Sequence, residues 1–389
     1  MIYLIILIVL LILTYKFDVC EQVNGRNISI YFVSFLLIIV AGFRYRIGLD
    51  TMRYMEYYDN IPSFNNLTFN HFILSQHEPL YFLIEVFAKT ISSEFFVLQV
   101  IQSVFVNLVV INFFKKNTKY LFTAILFYYL ILYISFNCEA MRSSMAVAIF
   151  LLSYPYLKEK RWVLYYIFAF LAMMFHTSAI ALLIVPLFTR IKMNKFSILY
   201  LFAAFIIAFI VSENIKLILS QISVTDSLSR KADLYLNSNY SGQVLNIFGI
   251  ISNLIMYVII PYFVVRRLYK TNKQRLEYEY LILLCISVAI LSIKVQIFER
   301  LLDYFMPFLL LALAEYLGAK IHSVTQNKLI KYYAMLYLFV FIFLKIYGQY
   351  FGNISGIYNY NRYLPYYTIF TKEKSPERES LYNKSYTGF

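Results

Sequence analysis

The hydrophobic residues of this chain come in long blocks that are separated by short polar stretches. Several blocks approach the roughly 20 residues that a helix needs to cross the hydrocarbon core of a bilayer. They lack the one-sided stripes or strict alternation of half-buried elements in soluble proteins. The predicted spans are Met1–Thr14, Ser29–Gly42, Pro79–Ile91, Phe95–Phe114, Tyr120–Ile134, Ser144–Leu157, Trp162–Phe175, Ser178–Phe188, Phe196–Val211, Val244–Val265, Tyr280–Ile293, Leu301–Leu317 and Leu329–Tyr347. This pattern predicts an all-α, polytopic transmembrane helical bundle of about 12–13 membrane segments.

The composition agrees with lipid as the main solvent of this chain. Hydrophobic residues make up 61% of the 389 positions and charged residues only 14%, which leaves too little polar surface to coat a soluble globule. We predict that residues 1–354 form one transmembrane domain. Its first helix is expected to be retained, because Met1 opens directly into an apolar run. Residues 355–389 form a polar tail, which we expect to be flexible from Arg362 onward.

Lysine and arginine residues cluster in five short loops between the predicted spans. These clusters hold 17 of the 35 basic residues. They are Lys115, Lys116 and Lys119; Lys158, Lys160 and Arg161; Arg190, Lys192 and Lys195; Arg266, Arg267, Lys270, Lys273 and Arg275; and Lys320, Lys328 and Lys331. The clusters recur after every second span, as expected for loops that face the cytoplasm. The net charge of +14 therefore reflects topology and not a nucleic-acid partner.

With these loops inside, several polar turns face the opposite side of the membrane. They are Asn137–Arg142, Phe175–Thr177, Ser212–Gln243 and Lys294–Arg300. The loop Arg44–Glu78 joins them if Pro79–Ile91 only dips into the membrane. Counting charges leaves the side of this loop open, because its arginines favour the cytoplasm while its acidic residues weaken the bias.

Ionisable side chains near membrane depth are costly, so each one is a candidate functional residue. Arg46 and Asp50 lie in the segment Arg46-Ile47-Gly48-Leu49-Asp50, directly after the second span. Gly48 permits a backbone turn there that places the two side chains beside each other. An interfacial anchor with a local ion pair between them is an equal alternative.

Three further candidates belong to the outward turns. Arg142 breaks the charge bias of the chain, because it lies opposite the basic loops; an interfacial arginine that pairs with Glu139 is the alternative. His176 could act as a base or as a hydrogen-bond donor, although a lone histidine in a turn is more often structural. Arg300 begins a span beside Glu299, with which it could simply pair.

Together the five candidates offer three guanidinium groups, a carboxylate and an imidazole. This set suits a diphosphate, because arginine binds phosphate through two parallel hydrogen bonds and can stabilise a departing pyrophosphate without a metal. Asp50 or His176 could accept a proton from an attacking hydroxyl. No metal and no cofactor are expected, since the chain has no acidic pair, glycine-rich phosphate loop or closely spaced cysteines.

Five short motifs follow one another along the chain. They are Arg46-Ile47-Gly48-Leu49-Asp50 with Tyr54 and Tyr58; Glu78-Pro79-Leu80-Tyr81; Arg142 with Ala146 and Ala148; Phe175-His176-Thr177-Ser178-Ala179; and Arg300 with Tyr304 and Phe305. Their order, together with the loop Lys158–Arg161 between the third and the fourth, resembles the EpsG family of Wzy-like polysaccharide polymerases. The resemblance covers most of the chain, to about Phe305.

This resemblance implies an enzyme that joins oligosaccharide repeat units carried on a polyprenyl diphosphate into capsular or exopolysaccharide. It would act at the outer face of the bacterial cytoplasmic membrane, and it favours the outer side for the loop that ends at Glu78. Arg142 and Arg300 would hold the diphosphate with help from Arg46, while Asp50 or His176 would orient or deprotonate the acceptor. The implied partners are the lipid-linked substrate, the bilayer and other polysaccharide export proteins, but no nucleic acid.

Two other functions use similar residues. A flippase for lipid-linked oligosaccharide could bind diphosphate with the same arginines and without chemistry, but such transporters tend to contain internal repeats, and none is visible here. A membrane acyltransferase that acts on sugars is expected to carry a histidine near the start of the chain, whereas the first histidine is His71. The sequence therefore favours a metal-independent membrane glycosyltransferase.

Overall fold

The computed structural model describes residues 2–193, 247–272, 277–294, 298–322, 353–354 and 357–386, together with six residues between 197 and 207. In this part of the chain lie fifteen α-helices and one two-stranded antiparallel sheet, β1 (Asn353–Ile354) with β2 (Ile357–Tyr358). The all-α class predicted from the apolar blocks is therefore confirmed. The predicted span Leu329–Tyr347, the turn Ser212–Gln243 and most of the span Phe196–Val211 lie outside the described residues.

The helices follow the apolar blocks closely. They are α1 (Ile2–Thr14), α2 (Arg26–Gly42), α3 (Leu49–Asp59), α4 (Phe69–Leu74), α5 (Pro79–Ile91), α6 (Phe96–Asn117), α7 (Leu121–Tyr128), α8 (Met141–Lys158), α9 (Trp162–Met173), α10 (Val185–Phe188), α11 (Ile247–Leu254), α12 (Ile260–Asn272), α13 (Glu279–Lys294), α14 (Glu299–Ile321) and α15 (Pro376–Tyr386). Short 3₁₀-helices lie at Phe64–Asn66, Thr177–Ile184 and Asn359–Arg362. Helix α5 has its predicted bounds, because proline is favoured in a first helical turn.

Among the residues that the structure describes, three helices are long and apolar enough to cross a membrane. They are Ile2–Val19, Phe96–Asn117 and Glu299–Ala319. Shorter apolar helices of 10–17 residues are Arg26–Gly42, Leu121–Tyr133, Trp162–Met173, Thr177–Phe188 and Glu279–Ile293. These lengths and compositions are those of a membrane protein.

The chain divides into two compact units. The first comprises Met1–Leu183 and Leu317–Phe389, and the second comprises Ile184–Tyr316. In the first unit, α6 packs between α2 and α8, α9 packs on α8, and α1 packs against α7. In the second unit, α13 packs against α11 and α12. Four of the five candidate residues belong to the first unit, and Arg300 belongs to the second.

Two π-helical segments, Tyr129–Tyr133 and Ser135–Glu139, connect α7 to α8. A buried polar network holds this connection against α6. Gln102 donates to Phe136 O and to Ser144 Oγ at 3.0 Å each, while Asn107 donates to Oδ1 of Asn137 at 3.1 Å. Because buried polar groups are costly unless they are paired, this network specifies how the turn before α8 is placed.

The loop Arg44–Glu78 is folded, since it contains α3 and α4. The tail, which we expect to be flexible from Arg362 onward, is folded over residues 362–386, where α15 packs on α3. Leu49 and Met52 of α3 form a small apolar core with Leu381 and Tyr382 of α15. The tail is polar in sequence, yet it buries apolar side chains on this partner.

Candidate functional site

A tight turn at Gly48 starts α3 and presses it against the connection before α8. Gly48 has φ +91°, and a Cβ atom there would lie 2.1 Å from the carbonyl oxygen of Cys138. Only glycine fits both this backbone conformation and this approach. The amides of Leu49 and Asp50 then donate to the two carboxylate oxygens of Glu139, at 3.2 and 2.9 Å. The predicted turn is confirmed, and its contact is with Glu139.

Glu139 is expected to make the stability of the protein depend on pH. Withdrawal from water and the charge of Asp50 raise the pKa of the Glu139 carboxyl to about 7. The folded state therefore binds this proton more tightly than the unfolded state does, so the stabilisation is complete below the ordinary glutamate pKa and is lost as the pH rises through about 7. The melting temperature of the wild type in detergent should fall over this range, and Glu139→Gln should flatten the decline. Glu159→Gln, at an exposed turn, should leave the decline unchanged.

Arg142 lies in the first turn of α8, where the side chains of Glu78 and Tyr54 contact it. Its Nη1 donates to Oε2 of Glu78 at 2.8 Å, and its Nε donates to the hydroxyl of Tyr54 at 3.1 Å. The guanidinium also lies 5.6 Å from the centre of the Tyr54 ring, a distance typical of a cation–π contact. Arg142 thus pairs with Glu78 across the fold, and the local pair with Glu139 is not formed.

Glu78 joins Arg142 to the turn that carries His176. Its Oε1 accepts from the amide and the hydroxyl of Thr177, at 3.3 and 3.4 Å. Burial disfavours the charged form of Glu78, but the positive charge of Arg142 and hydrogen bonds from backbone amides outweigh this effect and lower the pKa of the carboxyl. The end of the Arg44–Glu78 loop and the turns after α7 and α9 therefore meet at one place in the first unit, as the motif order leads one to expect.

His176 is 8% exposed and begins a tight turn at the end of α9. Its Nδ1 lies 2.6 Å from Oγ of Ser178 and accepts from the Ser178 amide at 3.2 Å. This places the protonated ring nitrogen of the neutral imidazole at Nε2. The turn brings His176 beside Glu78, and thus beside Arg142.

Arg46 and Asp50 have partners on α15. Both Arg46 Nε and Nη2 donate to the carboxylate of Glu379 at 2.6 Å, a two-pronged pair. The hydroxyl of Tyr386 donates to Oδ1 of Asp50. The local ion pair between Arg46 and Asp50 that the sequence left open is not formed, since each residue contacts the tail.

Arg300 is an exposed residue in the first turn of α14, in the second unit. The motif partners Tyr304 and Phe305 are buried in that unit, with 1% and 3% of their surface exposed. The structure therefore brings Arg142 and His176 to one cluster and Arg46 and Asp50 to the neighbouring surface of α3. The role of Arg300 stays a prediction.

One pair beside Arg142 was missed in the sequence. Glu85 is fully buried on α5, and its carboxylate oxygens lie 2.8 and 2.9 Å from Nδ1 of His77. A signal existed, because Glu85 is an ionisable residue in the middle of an apolar block and such residues are costly unless they are paired. Across the described ranges, no group of three or more His, Cys, Asp or Glu side chains could hold a metal ion.

The motif order and this clustering agree with a direct comparison of sequences. The model of the EpsG family matches residues 27–368. The chain belongs to the EpsG family. The matched range includes all five candidate residues, from Arg46 to Arg300, and it ends before α15. No curated protein and no solved structure matches the chain at a significant level.

Membership in the EpsG family and the apolar helices together make the chain a membrane protein of polysaccharide biosynthesis. The cluster of Arg142, Glu78, Tyr54 and His176 is the candidate active site of this protein. Arg46 and Asp50 lie at the N-terminal end of the helix that contributes Tyr54.

Proposed function

We propose that this EpsG-family protein polymerises oligosaccharide repeat units carried on polyprenyl diphosphate, at the outer face of the bacterial cytoplasmic membrane, into capsular or exopolysaccharide. One observation supports this function above the others: a pre-positioned arginine at a helix N-terminus. Arg142 is oriented by Glu78 and Tyr54 before any substrate arrives, which lowers the entropic cost of binding an anion.

The guanidinium of Arg142 has N–H groups left that can donate hydrogen bonds to such an anion. Guanidinium carries five N–H donors, and within the described part of the chain the side chain uses one at Nε and one at Nη1. The side chain is 21% exposed, so the other donors can be reached. The first turn of α8 adds the positive end of the helix dipole, which favours a negative group at the same place.

In the proposed reaction, an acceptor hydroxyl attacks the anomeric carbon of the glycan that is carried on the donor lipid. The bond between this carbon and the diphosphate oxygen breaks, and the lipid diphosphate leaves with the electron pair. Arg142 stabilises the negative charge that develops on the leaving group, the kind of contribution that is strongest in the transition state. Arg46 and Arg300 are proposed to assist in binding the diphosphate.

Asp50 and His176 are the proposed residues for orienting or deprotonating the acceptor. His176 lies next to the Arg142 cluster through the contact of Thr177 with Glu78. Asp50 lies one helical turn before Tyr54 on α3, so both side chains project from the same face of this helix. The acceptor is then expected to bind over this face of α3, beside Arg142.

Turnover by the purified protein in liposomes tests this function. The substrate is a short repeat unit linked to polyprenyl diphosphate, and the product length is followed on a gel. A ladder of longer glycans, absent with protein-free liposomes, is the expected result. Movement of unextended repeat units between leaflets would replace the polymerase with a flippase. Transfer of an acyl group from an added thioester donor, again without extension, would replace it with an acyltransferase.

A further inference from the structure

His77 and Glu85 form a buried pair whose geometry is that of a general base with its orienting carboxylate. Nδ1 of His77 lies 2.8 Å from Oε2 of Glu85, and the two side chains are 6% and 0% exposed. A carboxylate can only accept, so Nδ1 carries the proton and the lone pair of the neutral ring lies on Nε2. Within the described ranges Nε2 makes no hydrogen bond, which leaves it able to accept a proton.

Three tyrosines fix the plane of this imidazole. The rings of Tyr54, Tyr57 and Tyr81 contact it edge to face, with centre-to-centre distances of 5.6, 5.4 and 5.5 Å. Such contacts from three sides leave the ring few orientations, so Nε2 points in one direction without help from substrate. A base that is oriented in advance loses little entropy when it acts.

The imidazole also lies next to the Arg142 cluster. Tyr54 contacts both groups: its hydroxyl accepts from Arg142, and its ring packs on His77. In addition, His77 directly precedes Glu78, the partner of Arg142. A base and a cation that share one tyrosine can act on the two ends of a single reaction.

We infer that His77 is the general base that removes the proton from the acceptor hydroxyl, with Glu85 as the residue that positions it. The inference rests on the proposed polymerase function and deepens it. Nε2 of His77 takes the hydroxyl proton while the hydroxyl oxygen forms its bond to the anomeric carbon. The bond to the diphosphate breaks, the leaving lipid diphosphate keeps the electron pair beside Arg142, and the imidazolium later returns its proton to water.

Glu85 matters most when the imidazole is charged. In the resting state it accepts a hydrogen bond from a neutral ring, and in the transition state it faces a developing positive charge on that ring. An interaction that strengthens in this way lowers the barrier and does not merely tighten binding. Nδ1 of His176 accepts from the Ser178 amide, and Asp50 already accepts from Tyr386.

His77→Gln tests the role of the imidazole on the reconstituted protein with the lipid-linked repeat unit. General bases contribute about 10²–10⁴-fold, so kcat is expected to fall at least about 100-fold while KM changes little. The matched control is His71→Gln, which alters a histidine that caps α4 with Thr68, and it should keep the wild-type rate. If the wild type extends the glycan and His77→Gln does so at the same rate, the role of His77 is disproved and the polymerase function is retained.

The dependence of kcat/KM on pH separates a base from a structural pair. Titratable and charged side chains near the ring are Glu85 and Tyr81 of α5, Tyr54 and Tyr57 of α3, and then Glu78 and Arg142. Glu85→Gln replaces the carboxylate that faces the ring with a neutral amide, so the acid limb of the profile should move while the rate falls. A lower rate with an unmoved limb would show that the pair is only structural. If His77→Gln does not fold, this profile decides alone.

Failure of the wild type to extend the repeat unit would instead contradict the polymerase itself, and with it the role of His77. The two failures are therefore distinguishable, because the first requires an active wild type and the second an inactive one. Melting temperatures of the variants, measured in the same detergent, show whether a lost rate reflects a lost fold.

Discussion

Arg142→Ala is expected to lower the turnover number of the reconstituted protein at least about 100-fold. Removing one pre-positioned donor to a developing anion typically costs about 10²–10³ in kcat, and here the whole guanidinium is removed. The loss should appear in kcat and in kcat/KM alike, because the interaction is strongest when charge develops on the leaving diphosphate. The measurement is the initial rate of glycan extension with a fixed amount of folded protein.

Two matched variants sharpen this prediction. Arg142→Lys keeps the charge but loses the planar fork that binds both Glu78 and Tyr54, so most of the loss should remain. Arg161→Ala removes an arginine of similar size from an exposed turn, where it contacts Glu159 and Tyr156, and should retain the wild-type rate. Equal rates for Arg142→Ala and the wild type would remove Arg142 from the active site.

The second large effect is expected at Arg378, a fully buried residue of α15. Its guanidinium donates to three backbone carbonyls, those of Arg46, Asn361 and Pro365, at 3.0, 3.0 and 2.7 Å. At about 1 kcal/mol for each hydrogen bond, Arg378→Ala should weaken the docking of α15 by about 3 kcal/mol. Hydrogen exchange of the α15 amides should then accelerate about 100-fold.

The control for this variant is Lys374→Ala, at an exposed position just before α15. It should leave amide exchange in α15 at the wild-type rate. Glu379→Gln tests the adjacent contact, since it keeps the shape of the side chain but removes the negative charge that pairs with Arg46. Unaltered exchange in Arg378→Ala would mean that the apolar contacts of Leu381 and Tyr382 hold the helix alone.

The apolar blocks predicted most of the fold because helices that face lipid or a helical bundle need little beyond length and hydrophobicity. Pro79–Ile91 has its predicted bounds, and α2 differs from its predicted span only by beginning three residues earlier, at Arg26. The helix α3 was missed, since its apolar residues are few. Leu49 and Met52 pack against Leu381 and Tyr382. The local sequence around α3 does not reveal a partner that lies so far along the chain.

The candidate site, too, could be predicted from the sequence only in part. Arg142 and His176 could be singled out because a charge or an imidazole in an outward turn is unusual whatever its neighbours are. Their connection through Glu78 could not be foreseen, since it depends on how three segments meet. Glu379 is the clearest example of a contact that the sequence does not predict. Nothing in the polar sequence around this glutamate indicates that it pairs with Arg46.

The π-helical segment Ser135–Glu139 makes chain length part of the candidate active site. A π turn holds one residue more than an α turn, and this segment carries both Asn137, which contacts Asn107 of α6, and Glu139, which accepts from the first amides of α3. Loss of a single residue there would give an α turn and is expected to displace one of these two side chains, with every other side chain of the site still present in the sequence. The number of residues in this stretch therefore constrains the site as their identity does.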